Sequence, residues 1–418
     1  MGIIGLGYVG LPLALAFSEF YTVCGYDTDS SLIDTLDRGK DPNNELQDFD
    51  PHKEGLSFHK SIQDLRDCNI YLVTVPTPVT SLKSPDLRPL KAASKAIAGV
   101  LKKGDHVVYE STVYPGCTEE ECIPVLEKFS ALQSGKDFKV AYSPERINPG
   151  DRHHSLRNTV KLVGADDRET LEFVASLYER IVEAGVYRCS AIKVAEAAKI
   201  IENTQRDLNI ALMNELSIIF DLIGINTLDV IEAASTKWNF MKFTPGLVGG
   251  HCISVDPYYL TYKSLELGYR PEIILSGRKV NDNLSKHIVR RTLKFLDHRI
   301  DPDRKSQVII FGITFKENVF DIRNSKIIDV ARELIEMNVD VDIYDPYADP
   351  EELYQNYQLR MVEKPSRDYD CVMVAVRHKE FEQLDEEYFE SITGGNPVLI
   401  DIKSIYKDKI HGMRYWSL

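Results

Sequence analysis

The chain has 418 residues, of which 43% are hydrophobic and 27% charged, a composition typical of a globular protein with two or three domains. Its 50 basic and 64 acidic residues give a formal net charge of −14, which disfavours binding to nucleic acids and anionic membranes. No apolar run reaches the roughly 20 residues that span a bilayer, and the cysteines lack the regular spacing of a disulfide framework. No signal-peptide pattern opens the chain, so we expect a cytoplasmic α/β protein.

The first predicted elements are an apolar strand, a glycine-rich turn and a helix. The turn contains Gly5, Gly7 and Gly10, and the next predicted strand ends at Asp27. Glycines at this spacing let a pyrophosphate approach the helix N-terminus, and the carboxylate can bind ribose hydroxyls. Because an acid there repels a 2′-phosphate, the pattern favours NAD over NADP; a tight turn without a ligand is the alternative. Few residues precede Gly5, so the first strand is short, which raises the question of whether residues precede Met1.

Further strands are predicted from buried apolar runs that alternate with helix-like segments. These runs cover residues 22–26, 70–75, 106–110, 140–142 and 160–163. The alternation indicates a mostly parallel sheet with helices on both faces. Ligands gather at the carboxyl ends of the strands in such sheets, which is where Thr112 and Glu145 lie. For either segment alone, an ordinary loop is an equally good interpretation.

A long helix is predicted from about Ser190 to Ile223, where the chain has neither proline nor glycine. A helix of roughly 30 residues is about 45 Å long, which suits a link between domains or packing against a partner subunit. Lys199, Asn203 and Arg206 share one face of it. Amines in low-dielectric surroundings serve as acid–base or oxyanion groups, but a solvated polar stripe is an equally good interpretation.

A Gly-Gly-His-Cys loop lies between two further helix-like stretches, at residues 228–234 and 275–295. Cys252 follows the two glycines closely, where a substrate can approach, and Asp256 can orient a neighbouring group. A thiolate nucleophile needs such access and a lowered pKa. A buried structural cysteine is the alternative. Because the histidines show no zinc spacing with the cysteines, we predict no metal site.

The region from about residue 301 repeats the strand–helix alternation. Strands are predicted at 308–312, 339–344, 371–376 and 398–400, and a helix over 325–337. The pattern indicates a second parallel sheet, without a Gly-x-Gly-x-x-Gly turn. Lys316 and Arg323 follow the first strand of this sheet, and their cationic side chains are able to bind a diphosphate. The alternative is that both are ordinary surface charges.

Taken in order, these motifs resemble the UDP-glucose/GDP-mannose dehydrogenase family over essentially the whole chain. The matching segments are 5–12, 75–78, 110–112, 143–146, 199–203, 249–252 and 315–318. Segments 193–206 and 236–240 look most like the UDP-N-acetylhexosamine 6-dehydrogenases. Those enzymes make UDP-N-acetyl-glucosaminuronate or UDP-N-acetyl-galactosaminuronate for bacterial surface polysaccharides.

The resemblance implies two Rossmann-like, doubly wound parallel-sheet domains joined by a long central helix. It places an NAD-binding domain at residues 1–189, a helical dimerisation region with the cysteine loop at 190–298, and a UDP-sugar-binding domain at 299–418. A homodimer through the central helix is expected. It also implies a four-electron oxidation, in which two NAD+ convert the C6 alcohol through an aldehyde, a thiohemiacetal and a thioester of Cys252 to the uronate.

The resemblance assigns roles residue by residue. Lys199 and Asn203 stabilise the developing oxyanion, and Asp256 positions Lys199 and a proton-transfer water. Glu145 and Thr112 handle water, with Glu145 as the general base for hydrolysis. The implied cofactor-binding residues are Gly5, Gly7, Tyr8, Val9, Gly10, Asp27, Thr77 and Thr112. The implied substrate-binding residues are Glu145, Arg146, Ile147, Asn148, Lys199, Asn203, Arg206, Gly246, Lys316 and Arg323.

One position departs from the family pattern. Five residues after the ribose-binding acid, relatives often carry an arginine that lies against the adenosine end of NAD. This chain has Leu32 there, which removes one cationic contact with the cofactor.

Several alternative functions remain open from the sequence. One alternative is the same four-electron oxidation with UDP-glucose, UDP-N-acetylmannosamine or GDP-mannose as the substrate. A catalytically silent nucleotide-sugar binding protein is another, although it predicts loss of residues such as Cys252 and Lys199, which this chain keeps. A two-electron hydroxyacid dehydrogenase would need neither a second nucleotide domain nor the Gly-Gly-His-Cys loop.

Overall fold

The structure is a computed structural model that describes residues 1–41, 49–80, 82–147, 155–250, 253–296, 304–365 and 368–418. The chain divides into two compact units, one of Met1–Asn203 with Val255–Arg270 and one of Thr204–Ser254 with Pro271–Leu418. The division into three functional regions at residues 189 and 298 stays a prediction. None of the helices in the described ranges is long and apolar enough to cross a membrane.

The first unit contains an eight-stranded sheet. Its strands are β1 (Gly2–Ile4), β2 (Val23–Tyr26), β3 (Leu56–His59), β4 (Ile70–Val73), β5 (His106–Tyr109), β6 (Lys139–Tyr142), β7 (Lys161–Ala165) and β8 (Val186–Arg188). Its helices are α1 (Gly10–Phe17), α2 (Ser30–Leu36), α3 (Arg88–Ala98), α4 (Ile123–Ser130) and α5 (Arg168–Tyr178), with a 3₁₀ turn at Ile62–Leu65 and a π turn at Thr118–Cys122.

Four helices follow. They are α6 (Ile192–Ile223), α7 (Thr227–Ser235), α8 (Asp256–Glu266) and α9 (Glu272–Leu296). The second unit then continues with β9 (Gln307–Phe311), α10 (Lys326–Glu336), β10 (Asp340–Tyr344), α11 (Pro350–Tyr357), β11 (Tyr369–Val374), α12 (Glu386–Ile392), β12 (Thr393–Asp401) and β13 (Arg414–Ser417). Helix α6 has 32 residues and confirms the long helix predicted from the absence of glycine and proline.

The order of strands in the first sheet is β3-β2-β1-β4-β5-β6-β7-β8. All neighbouring pairs are parallel except β6 and β7, which run antiparallel. The order reverses between β1 and β4, and in open α/β sheets the crevice at such a switch point binds ligands. The glycine turn after β1 and the loop after β4 therefore flank the expected cofactor site.

Both faces of this sheet are buried, as expected when helices cover each side. Ile3 and Leu72 belong to one core cluster, whereas their neighbours Ile4 and Val73 belong to another. Successive strand residues point to opposite faces, so continuous apolar runs supply both clusters. This is why these strands are recognisable in the sequence.

The second sheet has the order β10-β9-β11-β12-β13, and every pair in it is parallel. Its first strand in the chain, β9, supplies Val308 and Ile310 to one core cluster and Ile309 and Phe311 to another. Two mostly parallel sheets and the long helix confirm the predicted α/β fold class. Dimerisation through the helix stays a prediction.

Three short strands were not expected from the sequence: β3, β8 and β13. Each lies at or next to an edge, and β3 alternates buried and half-buried positions rather than forming an apolar run. Strand β4 also ends two residues earlier than predicted. Pro76 and Pro78 follow it and have no backbone N–H, so they cannot extend the ladder.

Candidate functional site

The glycine turn after β1 has the close contacts that its sequence predicts. Gly5 has φ +95°, a conformation that side chains with a Cβ rarely adopt. A Cβ on Gly10 would lie 1.8 Å from the Gly5 carbonyl oxygen, whereas one on Gly7 would meet nothing within 4 Å. Gly5 and Gly10 therefore permit the tight turn, and Gly7 leaves open space beside its backbone. That space is what the approach of a pyrophosphate requires.

The remaining predicted residues of this turn lie at the start of α1. Tyr8 is exposed, and Val9 is the N-cap residue of the helix. Leu11 already donates its N–H to the Gly7 carbonyl oxygen at 3.1 Å, and Pro12 has no N–H. Gly10 is therefore the residue of this first turn whose N–H can bind an anion.

Asp27 lies directly after β2, and two backbone amides orient its carboxylate. Oδ2 accepts a hydrogen bond from the Leu6 N–H at 2.9 Å, and Oδ1 accepts one from the Asp29 N–H at 3.0 Å. Each oxygen has a second lone pair that can accept from a ribose hydroxyl. Asp29 in turn caps α2 by accepting from the amides of Ser31 and Leu32. Leu32 packs against the core of the first unit.

Thr77 and Thr112 lie in the loops after β4 and β5, and the structure brings them together. The Thr77 hydroxyl donates to the Thr112 carbonyl oxygen at 2.7 Å. The hydroxyl of Tyr259, on α8, donates to the Thr77 carbonyl oxygen at 2.7 Å. Tyr259 is fully buried and was missed in the sequence, because no local signal shows that its hydroxyl reaches a loop far away in the chain.

Glu145 follows β6 and its two carboxylate oxygens have different surroundings. Oε1 accepts hydrogen bonds from the backbone N–H groups of Arg146 and Ile147, both at 2.6 Å. Oε2 lies 3.7 Å from the Lys161 Nζ and has no hydrogen-bond partner among the residues that the structure describes. A carboxylate held through one oxygen with the other left open can accept a proton from a water.

The sequence did not indicate that Lys161 belongs to this group. Its ammonium is buried between the carboxylates of Glu110 and Glu145, and the hydroxyl of Tyr178 donates to Glu110. Burial raises the pKa of Glu110. Burial alone would lower the pKa of Lys161, but the two carboxylates outweigh it and raise the pKa. Lys161 therefore holds a positive charge beside Glu145.

Arg146 connects the loop after β6 to helix α6. Its Nη2 lies 2.8 Å from a carboxylate oxygen of Glu202, and its Nη1 donates to the Val160 carbonyl oxygen at 2.5 Å. Ile147 is half-buried beside it. Asn148, the next predicted substrate-binding residue, lies outside the described residues.

Lys199, Asn203 and Asp256 are buried together, with exposed fractions of 7%, 6% and 3%. The first two lie one turn apart on α6, and Asp256 is the first residue of α8. The Asn203 amide donates to Asp256 Oδ2 at 2.6 Å. Burial raises the pKa of Asp256 to about 6, against the opposing influence of the Lys199 charge and this hydrogen bond. Arg206, the third residue of the predicted face, is exposed instead.

In the second unit, the glycines before the cysteine pack against the loop that follows β9. A Cβ on Gly249 would lie 2.5 Å from the Asn324 carbonyl oxygen, and Gly250 has φ +81°. The Gly250 amide donates to the same Asn324 oxygen at 3.2 Å. His251 and Cys252 lie outside the described residues. The two glycines therefore permit a close approach that larger residues would block.

A small, partly open pocket, referred to below as the cavity, lies beside this contact. It is lined by Leu247, Gly249, Thr314, Phe315, Lys316, Ser325, Lys326, Ile327, Ala375, Val376 and Lys403. Three of these residues are lysines, a residue type that binds phosphate groups. Lys403 lies 2.9 Å from a Glu317 oxygen and Lys326 lies 2.9 Å from an Asp329 oxygen, so both of these lysines are ion-paired. Lys316 was predicted, whereas Lys403 was missed because it follows β12, far along the chain.

Arg323 pairs with the Asp321 carboxylate at 2.7 Å and is more than half exposed. Within the described ranges, no group of three or more histidine, cysteine or acidic side chains is arranged to hold a metal ion.

Comparison with known proteins identifies related sequences along the chain. Three domain models of the UDP-glucose/GDP-mannose dehydrogenase family match it. The NAD binding domain covers residues 1–182, the central domain residues 193–283 and the UDP binding domain residues 309–408.

Individual relatives match along their full length. The chain is 50% identical over 418 residues to a UDP-N-acetyl-D-glucosamine 6-dehydrogenase of Pseudomonas aeruginosa, covering 99% of each chain. It is 49% identical to an enzyme of the same name from Salmonella typhi, covering 97% of this chain and 96% of the other. The solved structure of a UDP-D-ManNAc dehydrogenase from Pyrococcus horikoshii superposes with a TM-score of 0.88 at 29% identity, covering 100% and 99% of the two chains.

Proposed function

Because the chain belongs to the UDP-glucose/GDP-mannose dehydrogenase family and is an NAD-dependent nucleotide-sugar dehydrogenase, we propose that it oxidises the C6 alcohol of a UDP-N-acetylhexosamine to the uronate. The sugar is N-acetylglucosamine or N-acetylgalactosamine, and the product serves capsule or O-antigen biosynthesis. The 50% identity to an enzyme named for UDP-N-acetyl-D-glucosamine supports N-acetylglucosamine first. Relatives named for UDP-N-acetyl-D-mannosamine and for NDP-N-acetyl-D-galactosaminuronic acid are both 31% identical. The chemistry rests chiefly on the buried cluster of Lys199, Asn203 and Asp256.

The residues of the first unit fit NAD. Gly5, Gly7 and Gly10 with Asp27 would hold the pyrophosphate and the ribose, and Tyr8, Val9, Thr77 and Thr112 complete the proposed cofactor site. When bound, NAD+ supplies the oxidant for both two-electron steps. The open side of Gly7 and the orientation of the Asp27 carboxylate are the features of this chain that fit the cofactor.

In the first step the C6 hydroxyl would lose its proton to the proton-transfer water, so that negative charge builds on the C6 oxygen. The carbonyl would form as hydride leaves C6 for the bound NAD+. The Lys199 ammonium and the Asn203 amide stabilise that oxygen, since preorganised donors in a buried site are worth more than in water. Asp256 accepts from Asn203 and faces the Lys199 charge, so it holds both donors in place. It also positions a proton-transfer water.

In the second step the Cys252 thiolate adds to the aldehyde carbon and forms a thiohemiacetal. Oxidation of this adduct gives a thioester. Glu145 then takes a proton from a water as the water attacks the thioester carbonyl, and the thiolate leaves as the uronate forms. The buried Oε2 of Glu145 has no hydrogen-bond partner among the described residues, and this supports the role.

The lysine-lined cavity of the second unit is the proposed site of the UDP moiety. Lys316 and Lys403 would bind the diphosphate there. Arg146, Ile147, Asn148, Arg206, Gly246 and Arg323 are the further proposed substrate contacts. In this scheme residues 1–189 bind NAD, 190–298 carry the cysteine loop and the dimer contact, and 299–418 bind the nucleotide.

A homodimer through α6 is part of the proposal. Leu212, Ile219, Leu222 and Ile223 are exposed at 49%, 43%, 82% and 63%, near the carboxyl end of the helix. Exposed apolar residues in such number favour burial against another chain. This supports the expected contact between two copies.

The proposal is tested by counting NADH per sugar consumed, with limiting sugar nucleotide and excess NAD+. We expect about two NADH per UDP-N-acetylglucosamine or UDP-N-acetylgalactosamine and an acidic product. UDP-N-acetylmannosamine, UDP-glucose and GDP-mannose serve as comparison substrates. A preference for one of these three would contradict the substrate class, and about one NADH per sugar would contradict the double oxidation.

The rate of the first oxidation should fall as the pH drops through about 6. The pKa of Asp256 is raised to about 6, so this carboxyl becomes protonated and loses its charge below that pH. Because a protonated Asp256 is a weaker acceptor for the Asn203 amide and holds that donor less firmly, kcat/KM should show an acid limb near pH 6. The measurement is a pH profile of single-turnover NADH formation. Asp256→Asn should be slower and lack this limb; a limb of unchanged position in the variant would assign it to another group.

A further inference from the structure

The loop that leads to the Gly-Gly-His-Cys segment is held by a buried asparagine on α6. The Gly246 amide donates to Asn214 Oδ1 at 2.7 Å, and Asn214 Nδ2 donates to the Gly246 carbonyl oxygen at 3.0 Å. Asn214 is fully buried. Its side chain carries both a donor and an acceptor, which is what a backbone amide and carbonyl of one residue require. Aspartate has no donor when ionised, and leucine has neither group.

The orientation of the Asn214 amide is fixed by the next residues in the network. An ionised carboxylate such as that of Asp207 only accepts hydrogen bonds, so Asn281 must use its Nδ2 to donate to it, at 2.7 Å. The Oδ1 of Asn281 is then left to accept from Asn214 Nδ2, at 2.8 Å. It follows that Asn214 presents Nδ2 to Asn281 and Oδ1 to the Gly246 amide.

The hydrogen-bond network begins at a buried ion pair between Asp207 and Arg278. Arg278 Nη1 lies 2.5 Å from Asp207 Oδ1, and Arg278 Nη2 donates to Asp282 at 2.6 Å. Asp207, Arg278 and Asn281 have exposed fractions of 0%, 2% and 1%. An uncompensated carboxylate is costly at this depth, so Arg278 is what allows Asp207 to act as a charged acceptor.

Helices α6 and α9 must approach closely for these side chains to meet. A Cβ on Gly277 would lie 2.5 Å from Leu208 Cδ2, so glycine is needed where α9 crosses α6. Asp207 and Asn214 lie two turns apart on α6, and Arg278 and Asn281 lie one turn apart on α9. The close crossing therefore places two pairs of polar residues opposite each other.

We propose that Asn214, oriented by Asn281 and the Asp207–Arg278 ion pair, is a positioning residue for the nucleotide cavity. It fixes the backbone at Gly246, and the next residues, Leu247 and Gly249, form part of the cavity wall. The network thus determines the shape of the wall that faces Lys316. This inference rests on the proposed function, which assigns the cavity to the UDP moiety.

The test is Asn214→Asp in the full-length protein, with UDP alone as the probe and calorimetry as the measurement. The substitution keeps the size of the side chain, but a carboxylate oxygen would then face the acceptor oxygens of Gly246 and Asn281. We expect the Kd for UDP to rise at least about tenfold, the cost of an unsatisfied buried group. The Kd for NAD+ should stay unchanged, since a generally damaged fold would weaken both.

Asn283→Asp is the matched control. Asn283 lies on α9 as well, but it is exposed and donates to the Lys279 carbonyl oxygen of its own helix. The same chemical change there should leave UDP binding unchanged. A folded Asn214→Asp protein with wild-type affinity for UDP would overturn the inference. Failure of the wild-type protein to bind UDP would instead contradict the proposed function.

Hydrogen exchange in the wild-type protein provides a second measurement that needs no Asn214 variant. The Gly246 amide donates to a buried acceptor, so its hydrogen should exchange with solvent much more slowly than is usual for a loop residue. Asn281→Ala keeps Asn214 but removes the side chain that orients its amide. The amide hydrogen of Gly246 should then exchange faster with solvent, and UDP should bind more weakly. Exchange of Gly246 as fast as that of an exposed loop amide would overturn the inference, whether or not the Asn214 variant folds.

Discussion

Lys199→Met is expected to lower kcat for the first oxidation by about 10²–10³-fold, the usual effect of removing one preorganised donor to a developing oxyanion. Methionine keeps an unbranched side chain of similar length in the buried position and removes only the ammonium. The KM for the sugar nucleotide should change much less, because the charge on the C6 oxygen develops in the transition state. Single-turnover NADH formation measures the step directly.

A second readout separates this role from a structural one. The Lys199 charge is one of the influences that lower the pKa of Asp256, so its removal should move the acid limb of the pH profile above about 6. Lys193→Met is the matched control, since Lys193 lies on the same helix but is exposed and pairs with Glu119. Wild-type kcat in Lys199→Met, or an equal loss in Lys193→Met, would contradict the assignment.

The fold was predictable from the sequence because its signals are local. The turn after β1 needs glycine at Gly5 and Gly10 for steric reasons within a few residues, and each central strand is a short apolar run. Strands β3, β8 and β13 were missed because strands at or next to a sheet edge need not be apolar on both faces. These segments form strands because they pair with a neighbouring strand, and their own residue patterns do not indicate it.

The proposed catalytic cluster was only partly predictable. The helical spacing of Lys199 and Asn203 indicates a shared face, but a polar stripe has the same spacing whether it faces water or a partner. The partner is Asp256, 53 residues beyond Asn203. The contact with Asp256 buries Lys199 and Asn203, whereas Arg206 stays exposed. Burial, and with it the raised pKa of Asp256, arises only from this long-range contact.

The supporting residues gave no signal at all. These residues are Lys161 beside Glu145, Tyr259 on Thr77 and Asn214 on Gly246, and each acts through contacts with residues distant in the chain. An isolated lysine, tyrosine or asparagine in a helix or strand has no motif around it. Such residues become recognisable only when the fold shows that they are buried and which atoms they meet.

Cys252→Ser is expected to stop uronate formation while leaving the binding of UDP and NAD+ unchanged. Thiols ionise near neutral pH and thiolates are strong nucleophiles, whereas a serine hydroxyl needs a base to remove its proton. In the proposed mechanism the first oxidation depends on Lys199 and Asn203 and not on Cys252, so NADH should fall from about two per sugar to at most about one. The measurements are NADH per sugar and the charge of the product under limiting UDP-N-acetylglucosamine.

Lys199→Met and Cys252→Ser therefore separate the first oxidation of the proposed reaction from the second. Lys199→Met should slow the release of the first NADH, whereas Cys252→Ser should allow it and prevent the second. Cys24→Ser is the matched control, because Cys24 is a free and only partly buried cysteine in β2, outside the proposed machinery. If Cys252→Ser still yields about two NADH per sugar and an acidic product, the thiol is not required. The second oxidation must then proceed through an oxygen adduct of the aldehyde, formed by water or by the serine hydroxyl.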